Sequence, residues 1–224
     1  MESKRLAAES AVHYIKDGMV IGLGTGSTAY WAIRKIGLRV QEGLQIRAVA
    51  TSKQTEELAQ KSGIPIITFA ELPKQIDITI DGADEVDPNM NMIKGGGGAL
   101  LREKIVATAS SQMIVIVDQS KMVEHLGAFP LPVEIVPFGC EFTIRQIVDL
   151  GCTAILRMNG EEPFITDNGN YIADCAFGTI SEPEQLGYQL NSLPGVVDNG
   201  LFIKHAHKII VGYSDGTVKM LERN

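Results

Sequence analysis

Short, unbroken runs rich in Val and Ile recur along the first half of the chain: residues 19–24 (MVIGLG), 46–51 (IRAVAT), 65–69 (PIITF), 76–81 (IDITID) and 113–118 (MIVIVD). A strand with one wet face alternates apolar and polar residues, whereas continuous hydrophobicity marks a strand buried on both faces of a parallel sheet. Helical stretches from Ser27 to Ile36, Lys53 to Lys61 and Ala99 to Ser110 fill most of the gaps between these runs. Strands and helices in alternation form βαβ units, so the expected class is α/β with a Rossmann-like, doubly wound, mostly parallel sheet.

The pattern changes where Pro130, Pro132 and Pro137 crowd together, a composition that suits a crossing between lobes. Beyond it the order reads strand (133–138), helix (141–150), strand (153–157), a turn at Asp167-Asn168-Gly169, strand (170–174) and helix (183–192), closed by Leu193-Pro194-Gly195. That order predicts a smaller α+β second lobe. Lys208 to Tyr213 and Thr217 to Leu221 flank Asp215-Gly216 as a hairpin that rejoins the first lobe. The expected division is therefore 1–129, completed by 200–224, for the α/β domain and 130–199 for the second lobe.

Composition removes several classes of function. A net charge of −7 with no basic run argues against nucleic acid, which requires a concentrated cationic surface. The 45% hydrophobic and 21% charged balance is that of a globular protein, which excludes a disordered one. The longest apolar run, Met113 to Val117, is too short to cross a bilayer, and the N-terminal segment reads as a surface helix in place of a signal peptide. Cys140, Cys152 and Cys175 fit neither a disulfide framework nor a zinc site, so they are expected to be reduced and mostly buried, in a cytoplasmic protein. His13, His125, His205 and His207 lack the company of a third ligand, so no metal is expected. Trp31 reads as core in the first crossover helix.

The unusual residues follow the strands. Gly24-Thr25-Gly26-Ser27-Thr28, Thr51-Ser52-Lys53, Asp81-Gly82-Ala83-Asp84-Glu85 and Asp118-Gln119-Ser120-Lys121 each succeed an apolar run. In a parallel sheet such strand ends share the edge where these folds bind ligands. GLGTGST joins glycines and hydroxyls to a helix start, where backbone amides and the helix dipole attract an anion; a plain tight turn is the alternative. It is not a P-loop, because no Gly-Lys-Ser/Thr follows, and not a dinucleotide fingerprint, because Ser27 stands where the third glycine belongs. A phosphate of a small ligand suits it better.

DGADEVD reads either as a solvated acidic turn or as a site in which Asp81 and Asp84 face a ligand from one turn; it lacks the spacing of an EF-hand calcium loop. In KGGGGALLREK four consecutive glycines cost backbone entropy, which favours a segment that wraps closely around a ligand. Lys94 is the cation at its start. Glu103, just inside the following helix, is either a carboxylate complementing the helix dipole or a catalytic group.

Together GLGTGSTA, TSKQTEELA, DGADEVD, KGGGGALLREK, the Asp-x-Ser-Lys at 118–121, FPLPVEI and PGVVDNGLF closely resemble ribose-5-phosphate isomerase of the A type, in order, from the N-terminus to about residue 202. The resemblance implies reversible conversion of D-ribose 5-phosphate to D-ribulose 5-phosphate in the non-oxidative pentose phosphate pathway, without cofactor or metal, by a homodimer or homotetramer. It implies that Glu103 is the base moving a proton between C1 and C2, with Asp81, Asp84 and Lys94 as the polar catalytic set. It further implies that Thr25, Gly26, Ser27, Thr28, Gly82, Ala83, Gly95, Gly96, Gly97 and Lys121 bind substrate, with Lys4 as a phosphate contact. Asn199 departs from the histidine of many relatives, a change expected to affect packing or a subunit contact.

Two other classes compete. A non-catalytic sugar-phosphate sensor would be expected to carry a DNA-binding helix-turn-helix, but the first strand begins near Met19 and leaves no room for one. An amino-sugar phosphate deaminase or a phosphogluconolactonase would be expected to use a histidine near the strand ends, and none of the four loops contains one.

Overall fold

The computed structural model describes residues 1–223. In chain order the chain forms α1 (Glu2–Val12), β1 (Val20–Leu23), α2 (Ser27–Gln41), β2 (Arg47–Ala50), α3 (Lys53–Lys61), β3 (Ile76–Asp81), β4 (Glu85–Val86), β5 (Met92–Ile93), α4 (Leu100–Thr108) and β6 (Ser110–Asp118). Then come β7 (Leu131–Ile135), α5 (Cys140–Val148), β8 (Thr153–Leu156), β9 (Met158–Asn159), β10 (Glu162–Pro163), β11 (Tyr171–Ala176), α6 (Pro183–Asn191), β12 (Val196–Asn199), β13 (Leu201–Phe202), β14 (Lys208–Gly212) and β15 (Val218–Glu222). The chain divides into two units. One holds Met1–Ala83, Arg102–Lys121 and Lys204 onward; the other holds Asp84–Leu101 and Met122–Ile203.

The first unit is built on a six-stranded sheet ordered β15-β14-β6-β3-β1-β2. All neighbours are parallel except the terminal β14–β15 hairpin, where Gly212 pairs with Val218 across Asp215-Gly216. β1 is buried at all four positions and β6 from Met113 to Val117, which is why these runs are continuously apolar. The core joins Ala7, Ala8 and Ala11 of α1, Ile33 and Ile36 of α2, and the strand residues Ile21, Leu23, Ile80, Ile114 and Ile116. Trp31 packs against this cluster, as its sequence context suggests.

Residues 65–69 do not form the expected sheet strand. Only Ile66 bridges Ala48, and the chain then turns into a 3-10 segment, Phe69–Glu71. The cause is local: Thr68 and Glu71 form a reciprocal capping box, which commits the backbone to a helical turn after two edge bonds to Ala48.

The second unit holds a four-stranded antiparallel sheet, β12-β7-β11-β8, a three-stranded one, β13-β5-β4, and the small hairpin β9–β10. Its core collects Leu131, Val133, Ile135, Ile147, Ala173, Cys175 and Leu190. The expected strand at 133–138 instead spans β7, ending before Pro137, and all three cysteines are free and buried. Asn199 is buried and ties β12 to α6, donating to Asn191 Oδ1 at 2.9 Å, while its own Oδ1 accepts from Leu201 N–H at 3.0 Å. It has a packing role.

Candidate active site

Every loop marked in the sequence of the first unit follows a parallel strand. Leu23 of β1 aligns with Ala50 of β2 and Ile80 of β3, and Asp81 aligns with Val115 of β6. The residues that follow therefore emerge from one edge of the sheet, where parallel strands present their carboxyl ends.

The loop after β1 is held by its neighbours. Asp81 is buried, and its Oδ1 accepts from Thr25 N–H at 3.1 Å and from Gly82 N–H at 2.7 Å. Thr25 Oγ1 meets Thr51 Oγ1 at 2.8 Å, Ser52 Oγ at 2.9 Å and Thr55 Oγ1 at 3.1 Å, so the ends of β1 and β2 share one hydroxyl cluster with the first turn of α3. Ser52 also caps α3 by accepting from Thr55 N–H. Gly26 adopts φ 105° and ψ −177°, a glycine conformation, and starts α2 with no side-chain cap. The amides of the first turn, at Ser27 and Thr28, point out of the helix end, where an anion is favoured.

Lys4 reaches the same helix end from α1, with Nζ 3.0 Å from Ser27 Oγ and 3.9 Å from Asp118 Oδ2. Burial pushes the Asp118 carboxyl up, but hydrogen bonds from Ser120 and the charges of Lys4 and Lys121 outweigh it, so the group sits below its ordinary value. Lys121 ends the short 3-10 segment after β6. Lys4, Gly26, Ser27 and Thr55 line part of a cleft of about 740 Å³ that continues past Tyr30 and Leu58. Glu103 lies in the first turn of α4 and is only 5% exposed.

Past Ala83, in the second unit, the acids of DGADEVD separate into two roles. Asp84 Oδ2 accepts from Gly96 N–H at 2.7 Å. Glu85 instead accepts from the amides of Gly127 and Phe129, and Asp87 from Asn91 N–H. Those two acids are consumed by backbone. Lys94 follows β5, 2% exposed; its N–H bonds Gly200 O and its Nζ lies 5.4 Å from the Phe202 ring centroid. Gly95 and Gly98 have φ of 104° and 79°, and Gly98 N–H closes a turn on Gly95 O. Gly96 and Gly97 are exposed, whereas Gly82 and Ala83 are half-buried at the chain's first passage between units.

The sequence reading missed Arg157, which donates to the carbonyls of Gly95 and Gly96. An arginine at a strand end, remote in sequence from the glycines, carries no local signal of that contact. Among the described residues no group of three or more His, Cys, Asp and Glu is placed to hold a metal ion. His207 Nδ1 accepts from Met113 N–H, and His205 and His207 both precede β14.

The comparisons with known proteins agree with one another. Residues 47–216 match the family model for ribose 5-phosphate isomerase A (phosphoriboisomerase A). The chain is 54% identical to ribose-5-phosphate isomerase A of Bacillus mycoides over 217 residues, 96% of this chain and 98% of that one. Ribose 5-phosphate isomerase from Plasmodium falciparum superposes with a TM-score of 0.96 at 40% identity, covering 100% of both chains. A D-ribose-5-phosphate isomerase solved in complex with phospho-erythronic acid gives 0.95 at 42% identity, covering 99% of this chain and 98% of that one. The family model matches most of the chain and the relatives cover it almost from end to end, so the chain belongs to the ribose 5-phosphate isomerase A family and is an enzyme that isomerises ribose 5-phosphate.

Proposed function

We propose that this chain converts D-ribose 5-phosphate to D-ribulose 5-phosphate through an enediolate, with Glu103 as the base that carries the proton between C2 and C1. The observation that supports this reading best is the arrangement at the edge of the parallel sheet, where a buried Asp81 holds the glycine–hydroxyl loop that opens α2. Such a loop suits a phosphate or sugar oxygens.

Aldose–ketose isomerisation requires a base for a carbon-bound proton, stabilisation of the charge that develops on oxygen, and proton exchange between O1 and O2. Glu103 supplies the first. Its near-complete burial keeps bulk water away from the carboxylate that is to take the proton. Lys94, also buried, supplies fixed positive charge for the enediolate oxygen. Asp81 and Asp84 serve proton exchange and opening of the furanose ring. Lys4, Ser27, Thr28 and Lys121, with the first amides of α2, bind the phosphate; the phospho-erythronic acid in the related structure is itself a phosphorylated ligand. Thr25, Gly26, Gly82, Ala83 and Gly95 to Gly97 line the sugar. The reaction needs no metal or other cofactor.

The enzyme is proposed to be a cytoplasmic homodimer or homotetramer, assembled through the 130–199 lobe. Large apolar side chains stand exposed there, among them Phe138 at 93%, Tyr188 and Ile155. Light scattering of the purified protein tests this, and a monomer at micromolar concentration contradicts it. Among the described residues no helix is long and apolar enough to cross a membrane.

The decisive experiment follows ribulose 5-phosphate formation from ribose 5-phosphate with EDTA present, with Glu103→Gln as control. Turnover that survives EDTA and collapses in the variant supports the reaction, its metal independence and its base. Loss of turnover with EDTA, or a fully active variant, overturns that assignment.

A further inference from the structure

Two consecutive peptide groups of the glycine run turn their carbonyls to one guanidinium. Arg157 Nη1 donates to Gly95 O at 3.0 Å and to Gly96 O at 3.2 Å. The guanidinium is itself fixed by Asp174, with Nε donating to Oδ2 at 2.9 Å and Nη2 to Oδ1 at 2.5 Å. Its Cζ lies 5.8 Å from the Phe164 ring centroid. This placement follows from sheet register: Arg157 succeeds β8, whose Ile155 pairs with Asp174 of β11, and Arg157 N–H bonds Ile172 O. A planar fork held by a bidentate carboxylate has little freedom left, so the carbonyls it meets are fixed as well.

A trans peptide directs its C=O and N–H to opposite sides. In the peptide joining Gly95 to Gly96, the carbonyl faces Arg157 while the N–H donates to Asp84 Oδ2 at 2.7 Å. One peptide dipole thus lies between a cation and an anion, in the sense that strengthens both bonds. The next peptide has its carbonyl on Arg157 too, so Gly97 N–H points to the side away from the guanidinium. A run of four glycines has no intrinsic preference for this arrangement. Arg157 imposes it.

We propose that Arg157 is a positioning residue for the isomerisation: through the Gly95–Gly96 peptide it orients Asp84, and through the next peptide it directs Gly97 N–H toward substrate oxygens. This rests on the role proposed above for Asp84. The competing view makes the Arg157–Asp174 pair a staple of the β8–β11 sheet with no bearing on the reaction.

A double-mutant cycle separates the two. kcat and KM for ribose 5-phosphate are measured for the parent, Arg157→Ala, Asp84→Asn and the double variant, with thermal melting by circular dichroism as the control on folding. Arg157→Gln, which keeps length and a donor without the fork, replaces Arg157→Ala if the latter does not fold. The expected result is a kcat lowered roughly 10- to 100-fold by the Arg157 change, as for a displaced catalytic group, with KM changed far less. In the Asp84→Asn background the same change should cost at least about threefold less than in the parent, because only its effect through Gly97 remains. A kcat within twofold of the parent, or an equal loss in both backgrounds, overturns the proposal while leaving Asp84's role intact. Parental kcat in Asp84→Asn refutes that role, and the proposal with it.

Discussion

A Cβ placed on Gly24 would lie 2.0 Å from Asp81 Oδ1, so the first loop and the end of β3 fit together only because residue 24 has no side chain. The same Asp81 oxygen accepts from Thr25 and Gly82. Gly24→Ala must therefore push a buried carboxylate off two amides. We expect it to destabilise the fold by about 1–3 kcal/mol, the usual cost of overpacking. Turnover should fall by roughly 10²-fold, because a catalytic group is displaced by close to an ångström. Urea denaturation and steady-state kinetics on the one variant check both. Parental kcat would remove Asp81 from the reaction.

Glu103→Gln retains shape and packing at a position almost closed to solvent. It should lower kcat by roughly 10²–10⁴, the range for a lost general base. That corresponds to about 3–5 kcal/mol of barrier. KM and the melting temperature should stay close to parental. A variant that melts early would instead mark Glu103 as a structural helix-start carboxylate, and the base would have to be sought elsewhere.

Lys121 should act on binding and not on chemistry. Its loss removes attraction that is present equally in the ground state and the transition state, so Lys121→Ala should raise KM and leave kcat within about threefold. A charge-assisted hydrogen bond contributes about 1.5–3 kcal/mol, so the rise should be tenfold or more. Collapse of kcat at unchanged KM would move Lys121 into the proton-transfer machinery.

The parallel sheet was legible because strands covered on both faces must be apolar throughout, as β1 and the middle of β6 are. β4, β5 and β13 were not, since two residues each are too few to display a period. The strand expected at 65–69 failed for a different reason: a Val/Ile-type run was overruled by the Thr68–Glu71 capping box two residues on. In the loops, glycines and hydroxyls after strands signalled a ligand-facing edge. The acids of DGADEVD could not be sorted by type alone. Glu85 is occupied by amides of residues 127 and 129, and such partners appear only once the chain has folded back. Arg157 was invisible on the same ground.

Asp118 connects the loop after β6 to acid stability. Its folded pKa lies below the ordinary carboxylate value because bonds from Ser120 and the charges of Lys4 and Lys121 outweigh burial. A depressed pKa contributes stability above the unfolded value of about 3.9, and that contribution is lost as pH falls through the lower folded pKa. Asp118→Asn removes it. The stability gap between parent and variant should thus be constant above about pH 5 and narrow on acidification below about pH 4. Urea melts across that range check this; a gap that stays constant into stronger acid would show that Asp118 titrates alike in both states.

Glu134 gathers three side-chain donors in the second unit. It is fully buried in β7, and its Oε1 accepts from Thr166 Oγ1 at 2.9 Å, Asn168 Nδ2 at 3.1 Å and Asn170 Nδ2 at 2.9 Å. One oxygen thereby ties the turn before β11 to the strand beside it. Glu134→Ala would leave the buried Thr166 hydroxyl without this acceptor, whereas the exposed Asn168 and half-buried Asn170 amides can turn to water; a buried donor left unsatisfied costs about 1–3 kcal/mol. We expect a loss of about 1–3 kcal/mol in urea denaturation. Glu134→Gln keeps an acceptor oxygen in place and should lose roughly half as much, because bonds to a charged acceptor exceed neutral ones about twofold. Equal losses in the two variants would mean that volume and not hydrogen bonding sets the stability of this turn. KM for ribose 5-phosphate should change little in Glu134→Gln, since none of the residues Glu134 holds is among those proposed to touch the sugar.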